Sequence, residues 1–206
     1  MPAIGSRRAP TKGDQRERAL LEAARTVFRD KPISQVTIDE LAGEAGIARS
    51  GFYFYFESKQ KLLAALADMV IGQNDAEMAD WLAGDGLDRA ALRRGLGRGL
   101  DRWRLDGRWL REVFLAPEPG ADVQSFRDQM VAKGCSAFST RIERDARAGL
   151  TVKGPPALLA AMVINLRMMT FAGVHTDPGE FGEDDLLDTL TDGILRLVYG
   201  ETPGQP

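Results

Sequence analysis

The sequence has 206 residues, 44% of them apolar, and a formal net charge of −3. That is enough apolar material for one large domain, or a small domain fused to a medium one, and it excludes a chain disordered throughout. A single cysteine, Cys135, excludes an internal disulfide and fits a reducing, cytoplasmic compartment. Residues 1–61 carry 11 Lys/Arg against 8 Asp/Glu, and residues 62–206 carry 16 against 22. A mildly basic head thus precedes an acidic body. The first residues contain no apolar run of the kind a secretory leader needs.

In chain order, residues 1–13 are rich in Pro, Gly and basic residues without a period, and read as a flexible arm. From Asp14, the spacing of Leu20, Ala24, Val27 and Phe28 predicts one face of a helix. Lys31-Pro32 ends it, because a residue before proline avoids the helical region. Thr37 and Glu40 have the spacing of a capping box and open a short helix, Ile38 to Glu44. Gly46 supplies a tight turn, and a second short helix spans about Ala48 to Phe54. Ser58 then caps a longer helix whose apolar stripe is Leu62, Leu63, Leu66, Met69 and Val70.

Helical spacing continues over Leu87–Trp103, a short Trp109–Leu115 stopped by Pro117, Asp122–Ala148, Pro155–Val174 and Glu183–Tyr199. No segment alternates with period 2, so the reading is all-α, with about nine helices. The longest apolar stretch, Ala157–Val174, is broken by Asn165, Arg167 and Thr170. It suits a buried or pocket-lining helix better than a membrane span. The units are an arm (1–13), a head (14–65), a body (66–200) and a tail (201–206).

Two short helices joined at a glycine and packed on a preceding helix suit the major groove of DNA, which admits one helix. Ala48, Arg49, Ser50 and Gly51 would face that groove. Arg49 is the one strong base reader among them, able to fork onto guanine. Tyr53 can reach a phosphate through its hydroxyl. Thr37 and Lys59 stand at helix starts, where backbone N–H groups also favour phosphate. Tyr55 could be core, a phosphate contact, or both.

The run from Thr37 to Leu62 contains Gly46-Ile47, the aromatic block Phe52-Tyr53-Phe54-Tyr55-Phe56, and Ser58-Lys59 three residues before Leu62. In order and spacing it resembles the DNA-binding domain of the TetR family of repressors, and the aromatic block is especially similar to its EthR-like members. The resemblance implies phosphate contacts for Thr37, Tyr53 and Lys59 and a base-contacting position for Arg49. Ala48 stands where a serine is usual, and Gly51 where Thr or Ser often holds phosphate; Ser50 can compensate. The resemblance also implies a helical body that dimerises and binds a small effector, giving a repressor of a palindromic double-stranded operator.

For the homodimer, the last two helices offer Leu158, Leu159, Leu187, Leu190, Ile194 and Leu197, which would otherwise serve an intramolecular core. For a pocket holding a small apolar effector, the aromatic, Met and isolated polar residues are Trp103, Trp109, Phe114, Phe138, Met162, Asn165, Met168 and Met169. A Met or Trp stripe can equally be plain core. Asn165 in an apolar helix needs a polar partner. Gly95, Gly97 and Gly99 are unusual in one helix. They allow close packing or a bend.

An enzyme is the weaker alternative. His175, in a Gly/Pro-rich stretch, and Cys135 are single, and no metal-ligand spacing, nucleophile triad or phosphate loop is present, so no catalytic, metal or cofactor residues are assigned. Gly182-Glu183-Asp184-Asp185 reads as an acidic helix start. A ligand-independent DNA-binding or architectural protein, with the body filled, is the other alternative. A helical adaptor that binds protein alone is a third, and salt-dependent DNA binding would exclude it.

Overall fold

The computed structural model describes residues 11–117, 120–176 and 181–200, and among these the chain is helical with no strand. The first helix, α1 (Lys12–Asp30), starts where Thr11 and Asp14 form a complete capping box. The Thr11 hydroxyl accepts from the Asp14 N–H, and the Asp14 carboxylate accepts from the Thr11 N–H at 2.8 Å. The helix therefore begins two residues before the expected start. It ends at Lys31, extended ahead of Pro32. A 3-10 turn (Ile33–Gln35) leads to α2 (Ile38–Glu44). Thr37 caps α2 by accepting from the Glu40 N–H. The Glu40 carboxylate takes the Lys31 ammonium at 2.5 Å, and that bond, with a smaller contribution from the Thr37 N–H, lowers its pKa.

Gly46, at φ +66°, makes the turn into α3 (Arg49–Tyr55). Then come α4 (Lys59–Ala83), α5 (Arg89–Leu115), α6 (Ala121–Arg147), α7 (Pro156–Thr176) and α8 (Glu183–Tyr199). The expected arm up to residue 10, the tail 201–206 and the side chain of His175 lie outside the described residues.

The expected division at residue 65 falls inside α4, which runs through it unbroken. One helix boundary differs from the sequence reading. The expected pair of helices Leu87–Trp103 and Trp109–Leu115 is one helix, α5. Asp106-Gly107 has the composition of a turn, but both residues are buried mid-helix. Of the α5 glycines, Gly99 has a packing role. A Cβ on Gly99 would lie 3.1 Å from the Phe171 ring of α7, and one on Gly97 would lie 3.7 Å from Leu187 of α8. The missing side chain at Gly99 lets α7 approach α5 closely, whereas the contact at Gly97 would be an ordinary one.

The acidic start of α8 is paired rather than open to a cation. Arg93 bonds Asp184 and Asp188, Arg89 bonds Asp188 and Asp192, and Arg104 bonds Glu183. At the far end of the body, Arg141 stacks 3.9 Å over Trp81, and the Tyr199 hydroxyl donates to the buried Asp145 at 2.6 Å. Residues Pro156–Gly173 of α7 are long and apolar enough to cross a membrane, and a third of that window is buried inside the protomer.

The head does not close its own core. Leu20, Phe28, Leu41, Phe52 and Leu62 pack in one cluster with Trp109, Leu110 and Val113 of α5 and with Val123 and Phe126 of α6. At this join lies Asp106, which is fully buried. Its carboxylate accepts from Arg25 (Nη2, 2.7 Å) and Arg29 (Nε, 2.9 Å) of α1 and from Trp109 Nε1 (3.2 Å). One turn and a half further on, the Glu112 carboxylate accepts the Ile33 N–H of the head at 3.1 Å. Burial alone would raise the Asp106 carboxyl. The hydrogen bonds from Arg25 and Arg29 outweigh burial and hold it below the usual carboxylate range.

Asp106→Asn is expected to cost about 2–3 kcal/mol near neutral pH, because two partly buried arginines lose their counter-charge. A depressed folded-state pKa stabilises above the unfolded value and is lost as pH falls through the folded one. Urea unfolding at stepped pH checks both statements. The gap between wild type and variant should be full at neutral pH and shrink below about pH 4.

Candidate nucleic-acid interface and the cavity behind it

The helix-turn-helix is held from beneath. Phe52 is fully buried under α3, its ring 6.2 Å from Phe56 and edge-on to Tyr53 at 5.6 Å. The Ile47 N–H donates to the Ala42 carbonyl at 2.9 Å and closes the turn. With Phe52 fixed inward, helical geometry turns Ala48, Arg49, Ser50, Tyr53 and Phe54 outward, and all five are exposed. Arg49 is anchored there: Nη1 donates to Asp39 of α2 at 2.5 Å, and Nη2 lies 3.4 Å from the Tyr53 hydroxyl.

Thr37 is exposed at the α2 start. Gly51 is half-buried, and a Cβ there would make only ordinary contact with Ile47, so packing does not demand glycine. Tyr55 is half-buried against the head core, its ring edge-on to Phe54 at 5.0 Å. Lys59 departs from the expectation of a side chain free for phosphate. Its Nζ donates to the carbonyls of Ile33 (2.6 Å) and Val36 (2.7 Å), and the loss of water lowers its pKa. Its ammonium ties the 3-10 turn to the start of α4. The sequence reading also missed Phe54, an aromatic ring 80% exposed one turn beyond Ser50. Its signal was present: one helix cannot bury all five residues of an aromatic block.

Behind the head, α5, α6 and α7 enclose a cavity of about 90 Å³. Of the residues expected at a pocket, Trp103, Phe114 and Met168 line this cavity, together with Arg102, Leu110, Met130, Val131, Lys133, Gly134, Ile164 and Arg167. The other expected pocket residues lie elsewhere. Trp109 is fully buried at the head–body join. Phe138 packs against Trp81 at 5.2 Å. Met162, Asn165 and Met169 are on the exposed side of α7, and Asn165 satisfies its amide by donating to the Ala161 carbonyl one turn back.

The expected dimer stripe is likewise corrected. Leu159, Leu187, Leu190 and Ile194 are buried in the protomer's own core, which leaves them little surface for a partner, and Leu197 is half-buried beside them. Leu158 is exposed, in line with Met162, Leu166 and Met169 at helical spacing along α7.

Residues 20–66 match the family model described as bacterial regulatory proteins, tetR family. The HTH-type transcriptional regulator EthR of Mycolicibacterium smegmatis is 30% identical over 203 residues, spanning 97% of this chain and 93% of that protein. The fold is similar to a TetR-family transcriptional regulator from a Rhodococcus species, with TM-score 0.74 and 18% identity over 90% of this chain and 98% of that one. It is also similar to FadR from Bacillus subtilis in complex with stearoyl-CoA, with TM-score 0.71 and 16% identity over 89% of this chain and 98% of that one.

Proposed function

The chain belongs to the TetR family and is a transcriptional regulator, and from that premise we propose that it is a repressor that binds a palindromic operator as a homodimer and is released by a small apolar effector. The observation that carries the DNA reading is the outer face of α3. Arg49, the groove-facing cation, is exposed and held in place beside Ser50 and Tyr53. Arg49 reads guanine and Tyr53 holds a phosphate, with the exposed Thr37 and the backbone start of α4 at Lys59 as further phosphate sites.

The dimer is supported by Leu158, Met162, Leu166 and Met169. Four large apolar side chains exposed in a row on one helix are a surface that soluble proteins ordinarily cover. A two-fold axis there makes a bundle from the terminal helices of both protomers. It presents two α3 helices roughly 34 Å apart, one turn of DNA.

The effector is supported by the cavity at Trp103 and Met168, which favours this reading over a ligand-independent DNA-binding protein. The stearoyl-CoA bound to FadR supports an acyl-bearing compound as effector. At about 90 Å³ the cavity is below the roughly 300–1,000 Å³ usual for ligand sites. Binding therefore has to move its walls. One wall is α5, and on α5 Asp106 grips Arg25 and Arg29 of the head. Displacing α5 shifts the head and changes the spacing of the two α3 helices. The effector acts because it favours the displaced state.

Arg49→Ala should relax operator preference by about 1–3 kcal/mol, read by titrating footprinted operator and scrambled duplex at one salt concentration; unchanged preference would remove Arg49 from base readout. Leu166→Glu should break the dimer, since it buries a charge at the proposed axis. Sedimentation would show monomer, and an unaltered dimer would place the interface elsewhere. Val131→Trp fills the cavity. In a thermal-shift screen of acyl compounds, those that stabilise wild type should leave this variant unmoved while it still binds operator.

A further inference from the structure

We infer that Asp39 is a positioning residue for sequence readout: its carboxylate fixes the Arg49 guanidinium so that the remaining N–H donors meet a guanine edge. This rests on the reading of Arg49 as the base-contacting side chain. The two residues come from different helices. Asp39, in the first turn of α2, takes Nη1 of Arg49 at 2.5 Å. Tyr53, one turn beyond Arg49 in α3, places its hydroxyl 3.4 Å from Nη2 and its ring 5.8 Å from the guanidinium carbon. A guanidinium has five N–H donors. Asp39 and Tyr53 take one each, and those left suffice for the two parallel bonds that guanine O6 and N7 accept.

Fold stability does not account for this pair. The side chains are 55% and 63% exposed, a setting in which an ion pair contributes little to folding. Its place is also unfavourable for plain DNA affinity, since a carboxylate there stands beside the surface that meets phosphates. The helix dipole of α2 welcomes an acid in its first turn, and Glu40 in the same turn satisfies that preference too. The dipole does not explain a carboxylate reaching across to an arginine of α3. Restraint does explain it. A long side chain already held in one geometry loses less freedom when it meets a base, and a fixed guanidinium plane admits fewer wrong bases.

The test selects a consensus from a random duplex library with wild-type protein. The consensus, a copy with its contacted guanine replaced by adenine, and a scrambled duplex are then titrated at one salt concentration. Wild type, Arg49→Ala, Asp39→Asn, Asp39→Glu and the Asp39→Asn/Arg49→Ala double variant are compared. Asp39→Asn is expected to cut the consensus-to-adenine affinity ratio about tenfold while binding scrambled duplex more tightly than wild type does. Asp39→Glu should restore part of the ratio, and Asp39→Asn should change nothing further once Arg49 is Ala. If Asp39→Asn tightens all three duplexes alike and leaves the ratio intact, Asp39 only masks Arg49 and the inference fails while the reading of Arg49 stands. If Arg49→Ala itself leaves the ratio intact, both fail.

Discussion

The buried carboxylate of Asp106 is the constraint on which the rest of the molecule depends. A charge without water must be met by donors with good geometry, and Asp106 has three side chains to supply them. Two of those come from the head and one from its own helix. Satisfying Asp106 therefore requires α1 to lie against α5 in one position. That position fixes where α2 sits, since it packs on α1, and through α2 where α3 sits. The angle at which the recognition surface leaves the body is thus set by an electrostatic requirement some distance behind it.

The same requirement explains where the sequence was legible and where it was not. The face of α1, the turn at Gly46, the cap at Ser58 and the span of α8 follow from local chemistry, and periodicity or capping residues reported them directly. Asp106-Gly107 has the local signature of a break, and only a distant partner reverses it. Arg25 and Arg29 stand about 80 residues away in sequence, beyond any window of periodicity. Lys59 misled for a similar reason: the carbonyls that hold its ammonium belong to a turn whose position the sequence alone does not reveal.

The body was legible as a set of helices but not in its facing. On α7 nearly every position from Ala157 to Phe171 is apolar, so the pattern has no phase to read. The facing of the expected pocket and stripe residues therefore differs from the sequence reading. Met162, Asn165 and Met169 went to the outer side, and the leucines of α8 went inward against α5. Asn165 shows the limit well. An amide in an apolar run asks for a partner, and a carbonyl one turn back answers without any ligand. Gly99 of α5 carried a better signal, because close approach leaves a trace in residue size where apolarity leaves none.

The head's core, which takes in Trp109, Leu110 and Val113 of α5, bears on modularity. A helix-turn-helix is often treated as an exchangeable reading unit. Here the unit that would have to be exchanged is discontinuous. A chimera that received a foreign head at residue 65 would keep Asp106 and lose the arginines that neutralise it. Transplanting the DNA specificity of this regulator is therefore a matter of carrying the outer residues of α2 and α3 alone, or of moving α1 and the middle of α5 together.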